Sequence, residues 1–467
     1  MLTRIEIDGF KTFRDFALDL PPFLVLLGPN GAGKSNLFDA LRFLSRLAGQ
    51  PVVKAAQGAR GDLLELFHAD SEGRRADRMR FAVEVLLDDA VTDAFGETST
   101  MPTTRVRYEL EIELRDGPAG PRPFVAYENA RALAPADDRW TNRFVATAGR
   151  LVSDDRAIED IYLDTELRDG KPTIFQIFKG SHSGSMLPAD SAAATVLSVI
   201  GTTAESAVLY ALKRELESWR NLHLDPVVLR RPDSFGEPDT LGPDGAHLPN
   251  TLNRIARATA SEDRPGGVLG DISADLASVI ADVSGISIDE DERRLRREVE
   301  FRPRGGGGVV SARVASDGTL RAAALLTAAY DPANSGLLCF EEPENGIYPE
   351  RLITLVRRLR SIVDRALDRR ASDPAAPVTQ LLLSSHSPAM LRALGPAMAD
   401  GVHGDVVFFA AVSRVGPGRS RSHITQPRLI SNGERPSLVD QERFDPNTRL
   451  VSPAEISEFE VRRELGV

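Results

Sequence analysis

The octapeptide GPNGAGKS, Gly28 to Ser35, constrains this chain more than any other stretch. It follows a short apolar run, FLVLLG at 23–28, and leads into LFDALRFLSRLA, where Leu37, Leu41, Leu44 and Leu47 recur at helical spacing. Strand, glycine-rich loop and helix are the setting in which G-x-x-x-x-G-K-[ST] binds phosphate. Backbone N–H groups of residues 31–35 converge at a helix N-terminus and make a concave anion nest. Gly31 and Gly33 let that backbone curl without side-chain collision. Lys34 supplies a point charge to the β and γ phosphates of a nucleotide, and the Ser35 hydroxyl a ligand for Mg²⁺. The expected cofactor-binding set is therefore Pro29, Asn30, Gly31, Ala32, Gly33, Lys34, Ser35 and Asn36, with ATP and Mg²⁺ as cofactors.

A second feature lies some three hundred residues on. The apolar run SGLLCF ends abruptly in Glu341 and Glu342, then Pro343, then Glu344. A buried strand ending in two acids is what metal-assisted phosphoryl hydrolysis requires. Glu341 would hold Mg²⁺ through water, and Glu342 would orient and polarise the attacking water. Pro343 stops the strand and leaves the carboxylates at its C-terminal end, where α/β sheets bind ligands. SSHSP then places His386 at the end of another apolar strand, aimed at the γ-phosphate region. A lone histidine after a strand is more often structural; the P-loop and the paired acids weight this one toward function. The expected catalytic residues are Glu342, His386 and Lys34, and the metal ligands Ser35 and Glu341. Glu344, past the proline, is expected to begin a segment facing another subunit.

The remaining sequence surrounds these elements. TRIEIDGFKTFRDFALDL alternates at strand spacing around Gly9, and MRFAVEVLLDD, TRVRYELEIELRDG and PFVAYENARAL alternate likewise, which predicts an antiparallel sheet. Residues 181–195 are rich in small residues and read as a loop. TAESAVLYALKRELESWRNL and DISADLASVIADVSGI read as helices, with a Pro/Gly/Asp-rich connection at 225–250 between them. RGGGG at 304–308 is a hairpin turn between VEFRP and VVSARV, and RRLRR at 293–297 reads as a solvated helix face. SDGTLRAAALLTAAY and PERLITLVRRLRSIVDRALDRR are helices alternating with the acid strand and with VTQLLLSSHSP, a parallel-sheet pattern. Ser452, Pro453 and Glu455 match a capping box for a last helix. The expected division is an ATPase lobe at 1–75, an antiparallel β subdomain at 76–180, a helical insertion at 181–330, the second part of the ATPase lobe at 331–430, and a tail with a helix at 431–467.

Composition sets bounds. Of 467 residues, 42% are apolar and 27% charged, the profile of a globular chain. No apolar run approaches the roughly 18–20 residues of a membrane span, and MLTRIEIDGF lacks a signal peptide's apolar centre. The single cysteine, Cys339, sits in an apolar run, so no internal disulfide forms and a cytoplasmic location is expected. Net charge of −11 argues against a surface coated for nucleic acid.

The order of P-loop, long insertion, Ser-x-Gly helix, acid strand and histidine strand resembles that of ABC ATPases. The RecF/SMC branch and the related "overcoming lysogenization defect" ATPases are the nearer likeness. SDGT at 316–319 looks like their signature motif, EEPENGIYP like D-E-P-E-x-G-x-H-P, and IDGFKTF like their opening strands. GPDGAHLPNTL at 242–252 is also similar to this group. The resemblance covers the first 50 residues and 310–390. It implies an α/β P-loop ABC ATPase head with a mixed sheet, an antiparallel β subdomain and an inserted helical lobe. It also implies a homodimer or higher homo-oligomer in which Ser316 and Gly318 cap the γ-phosphate held by the other subunit's P-loop. The Q-loop residue implied is Gln176, with Gln57 behind it; Phe13 is weighed between adenine contact and core packing, with core favoured. Glu341 replaces the usual Asp and Tyr348 the usual His, a departure that suits slow turnover. ATPases of this build are similar to sensor subunits of anti-phage systems such as Septu and PARIS. That implies an ATP-driven dimerisation switch controlling a separate effector nuclease, with no membrane partner. The alternative is a RecF-like repair ATPase binding duplex DNA; a transporter ATPase fits poorly.

Overall fold

The computed structural model describes residues 1–467 apart from 118–119, 153–159, 169–170, 178–185, 190–191, 374–375, 400–405, 416–420, 431–448, 452–454, 456–458 and 460–467. A seven-stranded sheet carries the P-loop. Its order is Arg220–Leu222, Gly336–Glu341, Thr379–Ser385, Phe23–Leu27, Val406–Val415, Arg421–Ile430 and Arg449–Val451. The first five run parallel. Their apolar runs are continuous because both faces are covered: Leu337 and Cys339 enter one core, Leu338 and Phe340 the other. Cys339 is fully buried, and that burial pushes its thiol far above the usual range.

Register decides where the site forms. Glu341 is level with Ser384, and Ser384 with Leu26 of the P-loop strand. Three adjacent strands thus end together, and the P-loop, the paired acids and His386 emerge from one edge. The helix Lys34–Leu47 packs Leu37, Leu41 and Leu44 between this sheet and an eight-stranded antiparallel sheet. That sheet begins at Leu2–Asp8 and Phe16–Asp19, so the opening strands assigned to the 1–75 lobe pair into the β subdomain instead. Its inner face carries Ile5, Ile7, Phe81, Val83, Tyr108 and Leu110. Its outer face carries an ion-pair ladder in which Arg107 reaches Glu6, Glu84 and Glu109 at 2.8–2.9 Å. On the opposite side of the seven-stranded sheet, the helices Asp317–Tyr330 and Pro349–Ser372 bury Leu320, Leu325, Leu352, Leu355 and Leu359.

One buried acid gives the fold a pH dependence. Glu128 accepts N–H bonds from Val196 at 2.7 Å and Leu197 at 3.4 Å, and the Tyr108 hydroxyl at 2.9 Å. Burial pushes its carboxyl up from 4.5 to about 7, the hydrogen bonds opposing the shift only in part. The folded state thus holds this proton more tightly than the unfolded chain, so the contribution is complete below about 4.5 and lost as the pH rises through 7. Its size is on the order of 3 kcal/mol. Glu128→Gln should flatten the stability–pH curve, read from urea midpoints, between those limits; an unchanged slope assigns the dependence elsewhere.

Several expectations change. RRLRR is no helix face: it turns the hairpin of Val283–Asp291 and Arg296–Pro303, with Asp291 accepting the N–H groups of Arg293 and Arg294. Leu295 takes a left-handed φ of 51° there, and charge repetition alone looks the same in either element. The helix read through residue 222 ends at Ser218, because Arg220–Leu222 pairs as an edge strand with Leu338–Phe340. The helix read to 286 ends at Val279, and Val283 starts a strand. Within the expected loop 181–195, Met186–Pro188 pairs onto the β subdomain. The RGGGG hairpin forms as expected, pairing Glu300 with Ser311 and Phe301 with Val310. The capping box at Ser452 and Pro453 lies outside the described residues. No helix among the described residues is long and apolar enough to cross a membrane.

Candidate functional site

The P-loop leaves its strand at Gly28 and enters its helix through Gly33, whose φ of 95° is left-handed. A Cβ there would sit 1.8 Å from Thr425 Oγ1, so glycine is demanded by space as well as by backbone. Thr425 comes from the hairpin partner Arg421–Ile430, meets Thr12 Oγ1 at 2.7 Å and accompanies Asn36, which donates to Thr12 at 2.8 Å. Asn36 is therefore engaged with the opening strands. Ala32 is buried, while Asn30 and Gly31 are exposed at the loop's tip.

Lys34 folds over its own loop, donating to the Gly28 carbonyl at 2.6 Å and the Pro29 carbonyl at 2.9 Å. Burial pushes its ammonium down from 10.5 to about 8, with Glu342, Glu344 and Glu341 opposing. About half of the lysines are then neutral at pH 8, and a triphosphate beside the group would restore the charge. Nucleotide binding near pH 8 should accordingly take up protons. Calorimetry in two buffers of different ionisation enthalpy measures this, and equal heats would contradict it.

Across the sheet edge, Ser35 Oγ lies 3.2 Å from Glu341 Oε2, although 306 residues separate them. A hydroxyl and a carboxylate oxygen so placed are both hard oxygen donors, the chemistry Mg²⁺ selects. Glu342 leaves the strand with a left-handed φ of 52°, a conformation costing roughly 1–3 kcal/mol for a non-glycine residue and concentrated at functional sites. Its N–H is tied to the Ser384 carbonyl at 2.8 Å. Its carboxylate accepts from Asn345 Nδ2 at 2.7 Å and lies 3.0 Å from His386 Nδ1. The histidine contact is an ion-pair distance without hydrogen-bond alignment. Both side chains remain partly open to water.

Glu344, expected to begin a segment facing another subunit, is itself 7% exposed, accepts the Ser385 hydroxyl, and has its carboxyl pushed upward by burial. Tyr348 is the outward residue of that segment, 74% exposed and capping the helix Pro349–Ser372. Ser316 caps the helix Asp317–Tyr330, accepting from Thr319 N–H at 3.2 Å. Gly318 packs so tightly on Gly346 that a Cβ would fall 1.9 Å from the Gly346 carbonyl. The signature-like helix and the turn after the paired acids are therefore in direct backbone contact.

Gln176 is buried at the end of Lys171–Gln176 in the β subdomain, donating to the Glu205 carbonyl at 3.2 Å. Gln57 is exposed at the end of Val52–Ala56. Phe13 is fully buried, 4.5 Å from the Phe16 ring, in core packing. Four residues escaped the sequence reading. Arg60 donates to the Ser35 carbonyl at 2.9 Å and pairs with Asp39, which also holds Lys11 at 2.6 Å. Asn345 was legible in principle inside EEPENG; Arg60, Lys11 and Asp39 carried no spacing signal.

Parallel strands ending in a P-loop, paired acids and a histidine make up the head fold of an ABC-type ATPase. A family model described as "AAA domain, putative AbiEii toxin, Type IV TA system" matches residues 23–140 and 206–392. Those segments make up well over half of the chain, and the chain belongs to that AAA_21 family. Among curated proteins, the chromosome partition protein Smc of Bordetella petrii is 36% identical over 118 residues, 25% of this chain and 9% of that one. Smc of Methanocaldococcus jannaschii is 39% identical over 77 residues, 16% of this chain and 6% of that one. Structural maintenance of chromosomes protein 1 of Schizosaccharomyces pombe is 47% identical over 45 residues, 9% and 4% respectively. The chain thus spans under a tenth of the length of these relatives. The solved Smc head domain of Pyrococcus furiosus, bound to the C-terminal domain of ScpA, aligns with 95% of this chain and 99% of its own at 10% identity and a TM-score of 0.45.

Proposed function

We propose that this ATPase is a nucleotide-driven dimerisation switch. The observation that carries the reading is the convergence of Ser35, Glu341, Glu342 and His386 at one sheet edge, beside a signature-like helix locked to the same turn. The P-loop N–H groups and Lys34 would bind the phosphates of ATP, and Ser35 and Glu341 would hold Mg²⁺, which would supply neutralisation of phosphate charge. Glu342 accepts a proton from the attacking water, and Asn345 fixes its carboxylate for that task. His386, whose Nδ1 lies 3.0 Å from Glu342, faces the γ-phosphate region. Ser316 and Gly318 serve the nucleotide of a second subunit. Val314, just before that helix, and Tyr348 are 76% and 74% exposed.

A Glu in place of Asp at 341 favours slow hydrolysis, so the ATP-bound dimer persists and can act as a signal. The reading extends to a separate effector nuclease in anti-phage defence, which rests on the resemblance to the Septu and PARIS ATPases; the matched family's description, a putative toxin of a Type IV TA system, names no nuclease. Duplex DNA is the weaker partner. Arg293, Arg294 and Arg296 are exposed, but Asp289, Glu290, Asp291, Glu292, Glu298 and Glu300 share their hairpin. The test is assembly of Glu342→Gln followed by light scattering. Doubling of mass with ATP is expected; a variant in the same state with and without ATP ends the switch reading. ATP-dependent DNA binding that weakens steeply with salt would instead favour the repair reading.

A further inference from the structure

We propose that Asp233, Glu237 and His247 bind a divalent transition-metal ion of the Zn²⁺ class, at a site formed by other residues than the P-loop. These three side chains come from the connection that ends in GPDGAHLPNTL, a stretch the nucleotide chemistry leaves unused. Asp233 lies on a short strand, Asp233–Ser234, paired to Arg296–Arg297. Glu237 sits in the turn that follows. His247 caps the eleven-residue helix Leu248–Ala258 with a left-handed φ of 66°. One ligand atom from each lies within 4.8 Å of the other two.

The details favour coordination over an ordinary polar cluster. His247 Nδ1 is buried and has no hydrogen-bond partner among the described residues. It lies 3.5 Å from Asp233 Oδ1 without hydrogen-bond alignment. Two ligands at ~2.0–2.1 Å from a tetrahedral ion stand about 3.4 Å apart, which is this spacing. Asp233 is 4% exposed, so its carboxylate is set rather than mobile. Its Oδ2 accepts the Asn250 N–H at 3.0 Å, which leaves Oδ1 as the oxygen facing the ring. Glu237 is anchored through Oε2 by the Ser234 N–H at 2.6 Å. Each carboxylate is thus oriented by a backbone donor, as outer-shell bonds orient metal ligands.

One imidazole with two carboxylates suits Zn²⁺, Mn²⁺ or Co²⁺ rather than Mg²⁺ or Ca²⁺, which take oxygen alone. Three protein ligands leave further positions to water. An ion here joins the short strand and the turn to the start of Leu248–Ala258. That helix in turn holds the signature-like helix: Arg254 pairs with Asp331, at its end, at 2.6 Å. Its role is to brace the lobe bearing Ser316.

The test uses the full-length protein, stripped with a chelator and titrated with Zn²⁺ in excess Mg²⁺ without nucleotide. One Zn²⁺ per chain is expected, bound at least tenfold more weakly by His247→Ala and by Asp233→Asn, and unchanged in Ser35→Ala/Glu341→Gln. Co²⁺ should give visible absorption bands in the wild type that these two substitutions remove. Glu237→Gln, at an exposed position, should weaken binding too and keeps the test decisive if the buried variants fail to fold. Wild-type protein that binds no more Zn²⁺ than Glu237→Gln, or Zn²⁺ binding lost only with Ser35 and Glu341, overturns the proposal.

Discussion

Glu342→Gln should slow ATP hydrolysis by about 10²–10⁴-fold, the contribution of a positioned general base, while leaving nucleotide binding nearly intact. The residue stands at the end of Gly336–Glu341 in a left-handed conformation that only surrounding contacts can hold. Ser384 fixes its N–H, and Asn345 one of its oxygens. An amide of the same shape preserves the Asn345 contact through its oxygen but has no basicity to offer water. Asn345→Ala, which only loosens the carboxylate, should cost less. Single-turnover phosphate release with radiolabelled ATP separates chemistry from release. A Gln variant within a few-fold of the wild type would move the base elsewhere, with His386 first in line.

The largest stability effect is expected at a pair far from the phosphates. Arg105 is fully buried and makes a two-pronged pair with Asp138, Nε to Oδ2 and Nη2 to Oδ1, each at 2.9 Å. Its third nitrogen, Nη1, donates to Thr3 Oγ1 at 2.8 Å, and the Trp140 ring lies 5.6 Å from the guanidinium. Burial pushes the Asp138 carboxyl up, but the guanidinium outweighs it and the net shift is downward. Asp138→Ala leaves a guanidinium buried without its counter-ion, at a cost of about 3–5 kcal/mol. Replacing both partners with apolar residues of similar volume should recover much of this, because the uncompensated charge is gone. Urea unfolding of the single and double variants measures the difference; a loss below about 1 kcal/mol in Asp138→Ala would show that water reaches the arginine.

The motifs were legible in the sequence and the scaffold only unevenly, for one reason. GPNGAGKS, the paired acids and SSHSP are each local: every residue in them is dictated by what its immediate backbone must do. Continuous apolar runs at Gly336–Glu341 and Thr379–Ser385 likewise identify buried parallel strands from composition alone. Short pairings were not legible. Arg220–Leu222 is a strand only because Leu338–Phe340 offers an open edge, and its own residues continue a helical pattern. RRLRR has the same charge in a hairpin as on a helix.

Glu344 shows the limit most plainly. Its motif position says nothing of its burial, and Ser385, 41 residues later, holds it inward. Asp39 is similar, since Lys11 and Arg60 meet on it from segments on either side of its helix. The sequence by itself determined that the chain carries a P-loop and a strand-end acid pair, because both are written in contiguous residues. Only the tertiary structure decided which acids touch Ser35, His386 and Asn345. Strand register brings those side chains level, and register is set by contacts hundreds of residues apart.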